Sequence, residues 1–363
     1  PLGWWLDVLN PTESTTAYDW DILGWLFPSF YVANPWNWTD TAYDIPLMLT
    51  EKPTFEVVTD SEYGQIGRWT LHFRDDIVFF DGTPLTADDV VFTYDFLIWL
   101  APESDAWTDL PYFVINATKV DDYTVYVYTW DTGFLYALYG LTHIVFPKHI
   151  YEREETWGIT DDNEFDTFPD WNATPADVVG YTPQSPDDPI LTGYGPFKIA
   201  SWSGTTFDTS DVIILERNPT YFDRAIDEQG KVIHPWSPMT PDNIDIKGPY
   251  IKRLIYKVII EPSALVQALL AGEIDMAAEF EFGAYIDQFI GYNIAYAPRL
   301  GFGHISINCK SSAAYGLLQD ARFRRALAFA IDKRQVIDVA SVSYTHLRAH
   351  ETEADLVCRL LLE

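Results

Sequence analysis

The sequence predicts an α/β chain with room for two domains, on three observations. Its 363 residues exceed what one small core requires. Short alternating strand patterns are interleaved with capped helical patterns along most of its length. From residue 255, an apolar run, a helix with a proline start and a second short apolar run follow at the spacing of a βαβ unit.

The elements follow in order. Asn10-Pro11 opens a loop, and an apolar, aromatic segment runs from Tyr18 to Phe30. Trp69-Thr-Leu-His-Phe-Arg74 alternates apolar and polar residues, as a half-buried strand does. A second strand, Ile77–Phe80, runs into Asp81-Gly82, a turn signal. Thr86 is placed to cap a helix whose Asp88 and Asp89 suit the positive end of its dipole. Val90, Tyr94, Leu97 and Ile98 follow at helical spacing. Thr124–Thr129 alternates again, and Pro147 leads a short helix to Ile150. Asp161–Pro189 and Gln229–Gly248 are rich in loop-forming residues. Between them, Gly193-Tyr-Gly-Pro-Phe197 tightens into a strand, and Val212–Leu215 is another. Ile255–Ile260 reads as a buried strand. Pro262-Ser263 starts a helix with Leu265, Ala268 and Leu269 on one face and Gly272 as its stop. Ile274–Ala278 closes the unit as a strand. Asp320 can cap a last helix carrying Phe323, Leu327, Ala330 and Ile331, and Asp332 the next. No internal repeat or low-complexity stalk is visible, which argues against an adhesion role.

Composition narrows the function. Hydrophobic residues make up 48% and charged residues 21%, the balance of a soluble globular protein. The net charge is −31, from 54 acidic and 23 basic residues. Self-repulsion of that size favours a soluble monomer. With no basic stripe, phosphates have nothing to meet, so no nucleic-acid partner is expected. Aromatics reach 16%, with 14 Trp and 22 Tyr, whose flat faces suit binding walls as well as cores. Two cysteines, Cys309 and Cys358, do not make a disulfide scaffold. No stretch approaches a membrane span, and Pro1-Leu2-Gly3-Trp4 reads as mature sequence. Three N-x-T sequons, at Asn37, Asn116 and Asn172, fit a cell-surface protein.

Four segments then carry a resemblance. They are Trp69–Val91, with Phe-Arg-Asp and Phe-Asp-Gly-Thr-Pro-Leu-Thr-Ala-Asp-Asp-Val; Gly193-Tyr-Gly-Pro-Phe197 with Leu215-Glu-Arg-Asn-Pro-Thr-Tyr221; Pro262–Met276; and Asp320-Ala-Arg-Phe-Arg-Arg-Ala-Leu-Ala-Phe-Ala-Ile-Asp332. In this order they resemble the family 5 extracellular solute-binding proteins, which deliver oligopeptides, dipeptides, nickel or oligosaccharides to ABC importers. The resemblance implies the two-lobed α/β periplasmic-binding-protein-like fold, type II, with an extra subdomain in lobe one. Lobe one would be residues 1–257, its insertion about 52–182, and lobe two would begin over 258–340 and stay incomplete. It implies an extracytoplasmic, membrane-anchored, monomeric binder with no cofactor or metal, handing a peptide from the interlobe cleft to an ABC permease. An oligosaccharide is the alternative ligand, raised by the ring content, and a nickel complex stays open.

The resemblance also names residues. Tyr18, Asp19 and Trp20 fall in the loop after Asn10-Pro11, where relatives line the cleft. Glu279, Phe280 and Glu281 follow the Ile-Asp-Met strand, and Phe302 and His304 lie on the next. Trp107 and Tyr112 sit in a loop of the insertion that lids the site. Carboxylates there would pair an amine, rings would stack, and an extended peptide would be held partly by backbone hydrogen bonds.

Other chemistry has less support. The acid-rich, Trp-rich composition invites a glycoside hydrolase, which needs two carboxylates across a sugar. The adjacent pairs Asp75-Asp76, Asp88-Asp89 and Asp121-Asp122 instead fall at turns or helix starts, where carboxylates have local roles. No Gly-x-Ser-x-Gly or Walker loop occurs. From Ser341 the character changes: residues 343–352 and 356–362 resemble a translated sequencing adapter, so residues 341–363 are expected to be non-native. His346, His350 and Cys358 would then only mimic a zinc cluster.

Overall fold

The computed structural model describes residues 9–32, 45–133, 141, 144–159, 167–169, 173–205, 210–237, 247–277, 285, 288–289, 307–310 and 314–332. Its contacts divide the chain into two compact units, Pro1–Val258 and Ile259–Glu363.

The first unit is mixed α and β. Helix α1 spans Ala17–Leu26. Short strands β1 (Tyr31–Val32) and β2 (Ile45–Pro46) pair antiparallel. A four-stranded antiparallel sheet follows, built from β3 (Thr54–Asp60), β4 (Gly64–His72), β5 (Val114–Asp121) and β6 (Thr124–Thr129) in the order β3-β4-β6-β5. Helix α2 (Ala87–Leu100) packs on its β5–β6 side. One-turn helices α3 (Leu110–Phe113) and α4 (Lys148–Tyr151), then α5 (Pro175–Val179), follow. Strands β7 (Phe197–Trp202), β8 (Val212–Arg217) and β9 (Arg253–Lys257) form a second antiparallel sheet. One continuous cluster of buried apolar side chains takes in both sheets, from Leu9 through Trp69, Phe96 and Val127 to Leu215.

Helix α2 shows why these residues fold this way. The buried Asp89 carboxylate accepts from the Thr86 backbone N–H at 2.8 Å and from its hydroxyl at 3.1 Å, tying down the helix start. Its other oxygen accepts from the Lys148 N–H at 2.9 Å, which docks α4. Val90, Phe96 and Leu97 are fully buried, each gaining about 1.5–3 kcal/mol of transfer free energy. Phe96 meets Phe146, Tyr151, Trp157 and Phe168. Much of the aromatic excess is therefore core.

The second unit holds α6 (Pro262–Leu270) and α7 (Ala321–Ala330). Gly272 follows α6 at φ +71°, the left-handed stop that glycine tolerates. Asp320 caps α7 by accepting from the Arg322 N–H at 2.8 Å.

Three expectations are corrected. Ile77–Phe80 is no strand: Val78 forms an isolated bridge with Pro84, because the chain turns back at once through Gly82 at φ +90°. The strand expected to be buried at Ile255–Ile260 is β9, ending at Lys257, with Ile255 56% exposed and Ile260 53% exposed. Residues 274–277 form no strand, so no βαβ unit closes among the described residues. The helix expected after Asp332 and the tail over 341–363 lie outside the described residues.

Candidate functional site

The site is built on the loop before α1. Asn10 is fully buried, and its amide donates to the Val178 carbonyl at 2.9 Å and the Tyr181 carbonyl at 3.0 Å. Its side-chain oxygen accepts from the Thr12 N–H at 3.0 Å and the Thr12 hydroxyl at 2.7 Å, a side-chain-closed turn. Pro11 between them fixes one backbone angle. The Trp107 indole donates to the Pro11 carbonyl at 3.0 Å, and the Ser104 hydroxyl donates to the Thr12 carbonyl at 2.7 Å. The Asp105 N–H reaches Glu13 at 3.2 Å. Burial pushes the Glu13 carboxyl up, against that hydrogen bond.

Asp19 is wholly buried at the start of α1. Its carboxylate accepts from the Ser14 hydroxyl at 3.0 Å and the Thr16 hydroxyl at 2.7 Å, while its own N–H donates to the Thr16 oxygen at 3.1 Å. Trp20 donates its indole N–H to the Ser14 carbonyl at 2.8 Å. Trp20 and Trp107 meet edge to face, with centroids 6.4 Å apart at 81°, a favoured aromatic geometry. Tyr18 is half-buried on the same turn of helix.

The structure thus brings four expected residues, Tyr18, Asp19, Trp20 and Trp107, around one loop. The first three stand on the first turn of α1, where the sequence reading had a loop. Trp107 is 9% exposed. Tyr112 stands on α3, 75% exposed, and takes no part in these hydrogen bonds. Glu279, Phe280, Glu281, Phe302 and His304 lie outside the described residues.

Sequence reasoning missed Trp25, Tyr256 and the Gly193–Phe197 cradle as one unit. The Trp25 indole donates to the Tyr256 hydroxyl at 2.8 Å, and that hydroxyl donates to the Asp21 carbonyl at 3.1 Å. Burial pushes the Tyr256 hydroxyl pKa up, against the Trp25 hydrogen bond. Trp25 packs edge to face on Phe197 at 5.4 Å and stays 37% exposed. The Tyr194 and Gly195 N–H groups both donate to the Leu26 carbonyl, at 2.9 and 2.8 Å, closing the end of α1. A Cβ at Gly195 would sit 2.0 Å from the Trp25 carbonyl oxygen, so only glycine lets the chains meet. The advance signals were the density of rings between Tyr18 and Phe30 and the Gly193-Tyr-Gly-Pro-Phe197 run, and neither pointed to the other. Tyr256 lies 231 residues from Trp25, beyond any local pattern.

The paired acids have local work. Asp76 takes both prongs of Arg74, at 2.8 and 2.7 Å. Lys119 bridges Asp88 at 2.8 Å and Asp122 at 2.9 Å. The Asp121 carboxylate accepts from the Tyr123 N–H at 2.9 Å. Among the described residues, no group of three or more His, Cys, Asp or Glu is arranged to hold a metal ion. Among the same residues, no helix is long and apolar enough to cross a membrane.

Residues 57–348 match the family model described as bacterial extracellular solute-binding proteins, family 5 Middle. The chain is 25% identical over 275 residues to the oligopeptide-binding protein AppA of Bacillus subtilis, covering 74% of this chain and 40% of that protein. It is 23% identical to the periplasmic alpha-galactoside-binding protein of Rhizobium meliloti, covering 74% of this chain and 36% of that one. The chain therefore spans about two fifths of the length of these curated relatives. Its fold is similar to the mannohexaose-bound periplasmic oligopeptide-binding protein of Thermotoga maritima, with a TM-score of 0.58 and 20% identity over 88% of this chain and 48% of that one.

Proposed function

Because the chain belongs to the bacterial extracellular solute-binding proteins of family 5, we propose that it is the solute-binding component of an ABC importer and that its solute is a peptide. Proteins of this family work outside the cytoplasm. The partner on this reading is an ABC permease, and the working form is a membrane-anchored monomer. Pro1–Val258 serves as the first lobe, and the second unit belongs to the second lobe. The observation that carries the reading is the family match over residues 57–348. The peptide assignment leans on the likeness to AppA.

On this reading neighbouring residues take different roles. Asp19 is buried in its cap, so it positions α1 and leaves the contact with solute to side chains beside it. Tyr18, Trp20 and the partly open Trp25 offer rings to side chains of the solute. Glu279, Phe280, Glu281, Phe302 and His304 remain proposed contacts from the second unit. An oligosaccharide is the second reading, favoured by the half-buried Trp20 and the 37% exposed Trp25, since rings stack on sugar faces.

The test is native mass spectrometry of the protein after incubation with a pool of short peptides and, separately, with cello- and manno-oligosaccharides. Retained peptide supports the assignment. Retained sugar keeps the receptor and replaces the solute. Hydrolysis of a glycoside with nothing retained would overturn the receptor reading itself.

A further inference from the structure

Five Asn-x-Thr triplets stand in the sequence, at Asn10, Asn37, Asn116, Asn172 and Asn218. In two of them, Asn10-Pro11-Thr12 and Asn218-Pro219-Thr220, the middle residue is proline, which disqualifies the triplet as a glycan acceptor. The structure separates the two kinds. Asn10 and Asn218 are both buried, and each side-chain amide is used inside the fold. Asn10 donates to the Val178 and Tyr181 carbonyls, and Asn218 to the Gly195 carbonyl. Asn37 and Asn172 lie outside the described residues. Asn116-Ala117-Thr118 lacks the proline, and its Asn116 is exposed. Among the described residues, the acceptor pattern is therefore blocked where the fold needs the asparagine and intact where it does not.

Asn116 lies on β5, the last strand in the order β3-β4-β6-β5. It stands opposite Tyr128 on β6, and Thr118 stands opposite Tyr126. Residues directly opposite across an antiparallel pair share one face of the sheet. Tyr126 and Tyr128 alternate with the fully buried Val125 and Val127, so Asn116 and Thr118 project from the outer face, while Ala117 between them is buried. Both of these side chains are exposed, and among the described residues neither makes a side-chain hydrogen bond. The far edge of β5 is open as well. Among the described residues no strand pairs beyond it, and residues 115–121 make no backbone hydrogen bond outside the β6 ladder. Val120 on that edge is 47% exposed. An unpaired edge is a template for another chain unless something blunts it.

We propose that Asn116 is an N-glycosylation site whose glycan covers the free edge of the sheet. The inference rests on the family's place outside the cytoplasm and is independent of which solute is carried. The donor is an oligosaccharide on a polyprenyl diphosphate. The Asn116 Nδ2 forms a bond to the anomeric carbon, and the bond from that carbon to the diphosphate oxygen breaks. The diphosphate leaves with the electron pair, and the amide gives up one proton. A bulky, hydrated glycan on β5 keeps the strand of a second molecule from pairing there.

The test is glycopeptide mass spectrometry of the protein isolated from the cells that make it. A glycan is expected on the peptide containing Asn116, and none on those containing Asn10 or Asn218. Thr118→Val made in the same cells should lose the glycan at Asn116, since it removes the hydroxyl and keeps the shape, with circular dichroism and melting checked. Asn116→Gln should lose it too and self-associate at lower concentration in sedimentation. Solute binding is read on the same samples, so a protein that binds nothing and one that bears no glycan are told apart. A bare Asn116 overturns the proposal, whatever Asn37 and Asn172 carry. So does a modification that survives Thr118→Val in folded protein. Unchanged sedimentation of Asn116→Gln overturns the role at the edge.

Discussion

Asn10 and Asn218 each precede a proline and a threonine, and each does the same job. Asn218 accepts from the Thr220 N–H at 3.0 Å and hydroxyl at 2.8 Å while donating to the Gly195 carbonyl at 2.9 Å. The local turn was legible in both cases. The carbonyls reached were not: Val178 lies 168 residues from Asn10. Asp19 shows the same limit. Its residue type pointed to an amine partner, but Ser14 and Thr16 take up its carboxylate. Asp19→Ala should therefore cost about 2–3 kcal/mol in urea unfolding, from a lost cap and a stranded hydroxyl. Tyr18→Ala should weaken solute binding in calorimetry by more free energy than it removes from folding. Equal stability losses would show that Tyr18 is structural. Asp76 makes a prediction in pH. The hydrogen bonds from Arg74 hold its carboxyl below the ordinary 3.8, with burial opposing. Its contribution is present above that value and lost as pH falls through the lowered one. Melting curves of Asp76→Asn should thus lie below the parent at neutral pH and converge with it in acid. Asp89 has the opposite sign. Burial raises its pKa despite the Thr86 and Lys148 hydrogen bonds, so its charge works against folding as pH rises from 3.8 through the raised value.

At the scale of elements, the helices were easier to read than the strands. Thr86 and Asp89 announce α2, and Asp320 announces α7, because caps are local in sequence. Strand β5 went unread because most of Val114–Asp121 is exposed, which leaves no alternation. The expected strand at Ile77–Phe80 has the alternation, with Ile77 and Phe79 buried and Val78 and Phe80 half-buried, but the chain folds back in a tight turn, the Leu85 N–H donating to the Ile77 carbonyl at 3.0 Å. The end of α1 depends on a second element far along the chain. The Tyr194 hydroxyl donates to the Pro28 carbonyl at 2.7 Å and accepts from the Val145 N–H at 3.1 Å, so the cradle also holds the segment leaving the helix. Gly195→Ala must push the Trp25 backbone away. It should destabilise by about 1–3 kcal/mol or more and shift the near-ultraviolet signal of the rings around Trp25. An unchanged melting curve would mean that the close approach is not needed.

For the whole molecule, order carried more information than any one motif. The four segments read in the sequence sit on or beside elements that organise the two units: the β4–α2 corner, the glycine cradle with β8, α6 and α7. They identified the fold class and the family that the match over residues 57–348 establishes. They could not identify the solute, because Gly82, Gly195, Thr86 and Asn218 shape backbone rather than meet a ligand. Solute recognition rests on rings and acids whose neighbours are set by folding. The most direct test of the receptor reading is thermal unfolding of the protein, as its gene encodes it, with short peptides, oligosaccharides and chelated nickel in turn. A solute at about a hundred times its dissociation constant should stabilise the native state by about 2.7 kcal/mol. A rise in melting temperature with peptides is the predicted result. An unmoved transition across the whole panel would contradict a solute-binding role.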